Sequence, residues 1–163
     1  MDRNIEVLPL YHIAYIRQIG PYGPSNMKAI AQIKEWAQEK NLLTGSAIIL
    51  GIARDNAKVT PPQKCRYDAC IVLEHDHQID HSLLYDELPG GQYMVFTLEH
   101  TATAVQEAWC NMFQVIEDNG YGIDDKPILE RYTGEMIRQN KCEICVPVKP
   151  IQSPEKSYPS HPG

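Results

Sequence analysis

An order of apolar patterns that occurs twice along the chain is the strongest constraint on its fold. In the first half, a strand-like segment over residues 5–19 precedes a segment over residues 25–40 whose apolar residues recur at helical spacing. Two further apolar runs, over residues 47–53 and 67–73, are typical of strands joined by a long polar loop. The first half therefore predicts the element order β-α-β-β.

The second half repeats this order. Residues 93–98 are strand-like, and residues 103–118 carry an apolar stripe at helical spacing. Residues 128–132 and 144–148 are again strand-like. The second half therefore predicts another β-α-β-β unit.

Two dipeptides support a duplication, although identity between the halves is otherwise slight. Leu8-Pro9 recurs as Leu88-Pro89, and Arg66-Tyr67 recurs as Arg131-Tyr132. Two such units usually merge their strands, so we predict an α+β fold with one antiparallel sheet. Its two main helices are expected on one face, with a groove between the halves, where small ligands commonly bind.

The chain length of 163 residues fits one domain with a sizeable hydrophobic core. We predict a domain over residues 1–150, with halves at about 1–80 and 81–150. Residues 151–163 are polar and rich in Pro and Ser, which predicts a disordered tail.

Composition excludes some classes of partner. The formal net charge is -6, and a broad nucleic-acid surface normally needs a basic excess, so no direct nucleic-acid binding is expected. No apolar run approaches the length of a membrane span, and the start of the chain lacks the plan of a signal peptide. We therefore expect a cytoplasmic protein with no membrane partner. Its five cysteines are expected to be reduced and mostly buried.

The run KPILERY, residues 126–132, places a glutamate inside a strand-like segment. Because side chains alternate along a strand, Ile128, Glu130 and Tyr132 should share one face. The acid is either solvated at a sheet edge or directed into a pocket. In a pocket it would pair with a cation whose apolar body stacks on aromatic rings. Burial without a partner would raise its pKa.

Aromatic residues near this strand are candidate ligand contacts. Tyr132 shares the face of Glu130, Trp109 lies on the stripe of the second helix, and Tyr67 and Tyr93 lie on other strands. Plain core packing is the alternative for each of them. Trp36 is assigned to the core.

Metal and cofactor signals are weak, so we predict no metal and no cofactor. His75, His77 and His81 cluster in what reads as a polar loop. Cys142 and Cys145 form a single C-x-x-C on a predicted strand, where they would face opposite ways, and no second pair is present. Nucleotide-binding and nucleophile-elbow motifs are also missing from the sequence.

One pair of residues suits catalysis. Glu130 and Tyr132 could act as general base and general acid on a bound electrophile. The same pair also suffices for binding, so the residues leave the two functions open.

Several short motifs in the right order resemble the GyrI-like domain, the effector-binding module also found in AraC- and MerR-type regulators. The resemblance covers about residues 5–150. Its motifs are the stretches 18–22, 64–70, 89–93 and 127–132, with the helix that carries Trp109.

This resemblance implies the fold predicted above and a pocket between the halves for lipophilic, often cationic compounds. It implies that Glu130 faces the ligand. A binding protein that sequesters or senses such compounds is the first expectation. Some similar proteins hydrolyse reactive compounds with a glutamate and a tyrosine, so a hydrolase of reactive xenobiotics using Glu130 and Tyr132 is one alternative. Others inhibit DNA gyrase by protein contact, which is the second. The predicted sheet begins within ten residues, so a DNA-binding regulator acting by itself is not expected.

Overall fold

The computed structural model describes residues 2–74 and 82–151. In these residues the chain forms one antiparallel sheet of nine strands with three helices, which confirms the predicted α+β class. The strands are β1 (Asp2–Leu8), β2 (Tyr11–Ile19), β3 (Ile48–Ala53), β4 (Arg66–Leu73), β5 (Leu84–Leu88), β6 (Gly91–Glu99), β7 (Tyr121–Ile123), β8 (Leu129–Thr133) and β9 (Lys141–Pro150). The helices are α1 (Pro24–Glu39), α2 (Ala102–Asp118) and α3 (Gly134–Arg138).

The strand order has the symmetry that a duplication produces. The central strands run in the order β6-β9-β8-β3-β4-β2. Strands β2, β3 and β4 of the first unit correspond to β6, β8 and β9 of the second. When each strand is replaced by its counterpart, the same order is obtained, read from the opposite end of the sheet. The units meet where β3 pairs with β8, and Gly51 is there the register partner of Glu130. The recurrence of Arg66-Tyr67 as Arg131-Tyr132 was a wrong match, because β4 corresponds to β9 and not to β8.

A two-stranded ribbon joins the two ends of this sheet. Leu8 pairs with Gly91 and Tyr11 pairs with Leu88, so the register continues without a shift past Pro9 and Pro89, from β1–β6 into β2–β5. At the bend, a Cβ on Gly90 would lie 2.4 Å from the Leu8 carbonyl oxygen, so glycine is required there. Strand β5 was not predicted, because its sequence LYDEL is mostly exposed and polar.

Joining the ends buries the sheet face that carries no helix. Residues from strands at opposite ends of the sheet share one buried cluster on this face, including Ile13, Leu50, Val95 and Cys145. The fold therefore covers this face with its own strands.

Both main helices lie on the other face, as predicted. α1 buries Ile30, Ile33 and Trp36 against β2, β3 and β4, which confirms Trp36 as a core residue. α2 buries Met112 and Ile116 against β6 and β9. The short helix α3 follows β8 and was not predicted.

The cysteines are free thiols, and four of the five are buried, with Cys110 exposed. Cys142 and Cys145 belong to clusters on opposite faces of the sheet, as strand alternation requires.

Two predictions concern segments outside the described residues. The cluster of His75, His77 and His81 and the tail from residue 152 onward both lie there. Within residues 2–74 and 82–151, no group of three metal-ligating side chains comes together. Among the same residues, no helix is both long enough and apolar enough to cross a membrane.

Candidate ligand pocket

A carboxylate with a single hydrogen bond lies at the seam between the two units. The Tyr67 hydroxyl, from β4, donates to Glu130 Oε1 at 2.7 Å. In the part of the chain that the structure describes, this is the one hydrogen bond to the Glu130 carboxylate, and no cationic side chain pairs with it. An acid that is largely surrounded by protein and has no countercharge can pair with a positively charged ligand.

Gly51 makes room for this hydrogen bond. A Cβ at Gly51 would lie 2.0 Å from the Tyr67 hydroxyl oxygen and 2.6 Å from Glu130 Oε1. Any other residue would push the phenol and the carboxylate apart. Sequence reasoning missed Gly51, although a glycine inside an apolar strand is a recognised sign of a close approach.

The protonation of the pair follows from its surroundings. Burial raises the pKa of Glu130, and the hydrogen bond from Tyr67 works in the opposite direction because it stabilises the carboxylate. Burial, and then the nearby charge of Glu130, raise the pKa of Tyr67. Tyr67 therefore stays protonated at neutral pH and acts as the donor.

Two cavities meet at this pair, on the helix side of the sheet. One has a volume of about 710 Å³ and the other of about 350 Å³. Asn26, Tyr67 and Glu130 line both of them. The groove expected between the halves is therefore present, with the acid at its centre.

Aromatic and aliphatic side chains form one wall of the larger cavity. Trp109 and Phe113, one turn apart on α2, have ring centroids 6.1 Å apart and a tilt of 47°. Ile128 extends this wall beside Glu130. Phe113 is 42% exposed, so part of its ring is open to a ligand.

Polar groups form the opposite rim of the larger cavity. Arg54 and Asp55 both have partners: Arg54 bonds to Asp68 at 2.8 Å, and Arg66 holds the pKa of Asp55 below its usual range through hydrogen bonds. Lys58 at this rim is exposed. The uncompensated acid in this cavity is therefore Glu130, among the described residues.

The smaller cavity is lined mostly by neutral groups and by the first turns of α1 and α2, and its other acid, Glu143, is paired with Arg131 at 2.7 Å. The rings of Tyr132 and His100 lie 5.1 Å apart at its wall. Burial lowers the pKa of His100, so the imidazole is neutral at pH 7. Burial also raises the pKa of Tyr132, and it raises that of Cys142 to about 12. In the smaller cavity too, Glu130 is the acid that has no countercharge among the described residues.

Four of the five residues predicted from the sequence lie around these cavities. Glu130 and Tyr67 line both, Trp109 lines the larger and Tyr132 the smaller. The hydrogen-bond partner of Glu130 is Tyr67 rather than Tyr132.

Tyr93 does not belong to this set and has to be corrected. It is 1% exposed and packs in the cluster on the opposite face of the sheet. β6 is apolar on both faces, with Met94 and Phe96 directed towards α2, so alternation could not assign Tyr93 to a face.

The cavity residues that were missed include Phe113, Ile128 and Asn26. Phe113 lies four residues after Trp109, a spacing that places both on one side of a helix. Ile128 was placed on the face of Glu130 but was not considered as a ligand contact. Nothing in the sequence pointed to Asn26.

Comparison with known proteins identifies the family. The GyrI-like small-molecule-binding domain matches residues 1–149. The chain belongs to this family. Its relatives include YosT of Bacillus subtilis (strain 168), an SPbeta prophage-derived protein whose name proposes a role in transcriptional regulation. It is 42% identical over 150 residues, covering 91% of this chain and 100% of YosT.

A second relative of this GyrI-like chain is named as an inhibitor. The DNA gyrase inhibitor of Pantoea sp. (strain At-9b) is 26% identical over 161 residues, covering 93% of this chain and 100% of that protein.

Solved structures share the fold at low identity. The EcmrR C-terminal domain has a TM-score of 0.72 and 18% identity, covering 92% of this chain and 98% of that one. SAV2435 bound to tetraphenylphosphonium has a TM-score of 0.56 and 17% identity, with 99% and 100% covered. A hydrolase from Listeria innocua has a TM-score of 0.59 and 13% identity, with 90% and 91% covered. At these identities the likeness concerns the fold alone.

Proposed function

We propose that this GyrI-like domain binds lipophilic cations between its two units and that Glu130 selects their charge. The observation that carries the proposal is the Glu130 carboxylate, which has one phenol as its hydrogen-bond partner and no countercharge in the described residues. A buried charge without a partner is costly, and a bound cation would offset that cost.

The walls of the site suit the rest of such a ligand. Trp109 and Phe113 offer aromatic faces, and Ile128 offers aliphatic surface beside the acid. Aromatic faces attract cations and also stack on apolar rings. The volume of about 710 Å³ lies in the range of small-molecule sites. A structural neighbour, SAV2435, has been solved with tetraphenylphosphonium, which is a cation of this class.

A pair of ions with the same shape and opposite charge tests the proposal. We expect calorimetry to show binding of tetraphenylphosphonium and none of tetraphenylborate. Glu130→Gln should weaken the cation about ten- to a hundredfold, because a charged partner is lost while the shape is kept. Glu117→Gln makes the same chemical change on the exposed face of α2 and should leave affinity unchanged. Equal binding of both ions, or no effect of Glu130→Gln, would overturn the proposal.

Hydrolysis of a reactive compound at the same acid is a second candidate. Its support is the raised pKa of Glu130 beside a phenol donor, an arrangement suited to general acid–base chemistry. The geometry makes Tyr67 the phenol bonded to the acid, and Tyr132 would approach the substrate from the smaller cavity. Turnover of a chromogenic electrophile that Glu130→Gln abolishes would support hydrolysis, and no turnover by the wild type would exclude it for that electrophile.

Inhibition of DNA gyrase is supported by the name of the Pantoea relative. A supercoiling assay tests it directly. Unchanged gyrase activity at an excess of this protein would exclude it.

A further inference from the structure

The side chain of Asn26 leaves a polar atom without a partner at the junction of the two cavities. Asn26 lies in the first turn of α1 and lines both cavities together with Glu130. Its Oδ1 atom is buried, and no group in residues 2–74 and 82–151 donates a hydrogen bond to it. Buried carbonyl oxygens nearly always have a donor, because an unpaired one costs free energy. A ligand in the junction could supply that donor.

Helix α1 does not need this asparagine. The helix begins with Pro24 at its first position, and no side chain caps it. The backbone N–H of Asn26 already donates to the Gly23 carbonyl at 2.9 Å. Asparagine is also a poorer helix former than leucine or alanine. Neither capping nor helix propensity accounts for the amide at this position.

We infer that the ligand is a cation that carries N–H groups, such as a protonated amine, an amidinium or a guanidinium. Asn26 Oδ1 accepts one of these N–H groups, and the Glu130 carboxylate pairs with the charge. Tyr67 already donates to one oxygen of that carboxylate, so the other oxygen and Asn26 Oδ1 remain as acceptors on two residues that line both cavities. This inference rests on the proposed function.

Asn26 distinguishes two kinds of cation that Glu130 alone would bind with similar affinity. A quaternary ammonium or phosphonium ion has the charge but no N–H, so it leaves Asn26 Oδ1 unpaired in the occupied site. A site with an unpaired acceptor discriminates strongly against a ligand that lacks the donor. Asn26 is therefore a specificity-determining residue.

The test compares two ions with one aromatic body and one charge. The probes are 1-naphthylmethylammonium and its N,N,N-trimethyl analogue, titrated by calorimetry at neutral pH. The wild type should prefer the primary ammonium ion, and Asn26→Leu should weaken that ion about tenfold or more. The trimethyl analogue should bind Asn26→Leu within about twofold of the wild type, since its contacts do not involve Oδ1. Its retained binding would also show that the variant is folded.

Two further variants keep the test decisive. Asn26→Asp retains an acceptor and should keep or increase the preference for the primary ammonium ion, whether or not Asn26→Leu folds. Ser25→Ala changes the neighbouring residue, whose hydroxyl bonds to the Pro21 carbonyl and which lines neither cavity. It should leave both affinities unchanged.

The outcomes distinguish this inference from the proposed function. If both ions bind through Glu130 but Asn26→Leu weakens them equally, or not at all, the role of Asn26 is overturned and the cation site stands. If Asn26→Asp loses the preference, the inference is also overturned. If neither ion binds, or if Glu130→Gln changes neither affinity, the proposed function fails and the inference fails with it.

Discussion

The acids on the two faces of the sheet differ in whether the chain itself compensates their charge. On the face without helices, Asp68 is fully buried between Arg17 and Arg54, with N–O distances of 2.8 Å to each. On the helix face, Glu130 has one phenol donor and no countercharge in the described residues.

The difference follows from strand alternation and has a consequence for function. Tyr67 and Asp68 are neighbours in β4, yet one contacts Glu130 and the other the two arginines. Glu130 and Arg131 are likewise neighbours in β8, and Arg131 bonds to Glu143 at 2.7 Å. Removing an acid whose charge the chain itself compensates leaves its charged partners unpaired and destabilises the fold, whereas the acid that lacks this compensation is open to a ligand.

The largest expected effect is on stability and separates the two acids. Asp68→Asn leaves Arg17 and Arg54 without their shared countercharge. We expect the free energy of unfolding to fall by about 3 kcal/mol. This is the low end of the range for breaking a buried ion pair, because both arginines are partly exposed. Glu130→Gln should be neutral or stabilising, since it removes an uncompensated charge. Urea unfolding at neutral pH measures both free energies of unfolding. Equal losses for the two variants would remove the distinction between the faces.

A medium effect is expected from Gly51→Ala. The new Cβ overlaps the Tyr67 hydroxyl and Glu130 Oε1, so the hydrogen bond breaks or the strands shift, at about 1–3 kcal/mol. Cation affinity should fall as well, because the carboxylate is displaced. Gly120→Ala is a poor control because of its positive φ. Gly122→Ala is the better match, with 3.7 Å to its nearest neighbour atom. Unchanged cation affinity in Gly51→Ala would contradict the described geometry.

The smallest effects are expected from removing single hydroxyl groups. Tyr93→Phe should change stability by no more than about 0.5 kcal/mol and leave cation affinity unchanged, because Tyr93 lies on the other face. The matched change Tyr67→Phe removes the donor to Glu130 and should cost about 1 kcal/mol. Weaker cation binding by Tyr93→Phe would show that Tyr93 contributes to the ligand site, contrary to its position on the other face.

The sequence predicted the parts of this architecture that depend on local periodicity. The helices predicted over residues 25–40 and 103–118 begin and end within one residue of α1 and α2. Alternation in KPILERY correctly placed Glu130 and Tyr132 on one face. Strand β5 and the ribbon it forms with β2 depend on pairing between distant segments, which no local pattern reveals.

The site was less predictable because it depends on side chains meeting across strands. Tyr67 and Glu130 are 63 positions apart, and their contact requires a missing side chain at Gly51 on the strand between them. Asn26 stands out only once the absence of a donor near its Oδ1 atom is known. Periodicity identifies the face on which a residue lies but not its hydrogen-bond partner.

Because Glu130 has no countercharge in the described residues, its pKa makes the stability of the protein depend on pH. Burial raises the folded-state pKa above the unfolded value of about 4.3. The contribution of Glu130 to stability is therefore fully present below that unfolded value and is lost as pH rises through the folded pKa. The stability of the wild type relative to Glu130→Gln should fall over that window. A cation that pairs with the carboxylate should reverse the shift.

Carboxyl NMR titration of Glu130, with and without tetraphenylphosphonium, tests the central claim most directly. Comparison with Glu130→Gln assigns the resonance and removes the contributions of His100 and other titrating groups. We expect a pKa above the usual glutamate range in the free protein and a lower pKa in the presence of the cation. An ordinary pKa that the cation leaves unchanged would contradict the claim that Glu130 is an uncompensated acid facing the ligand.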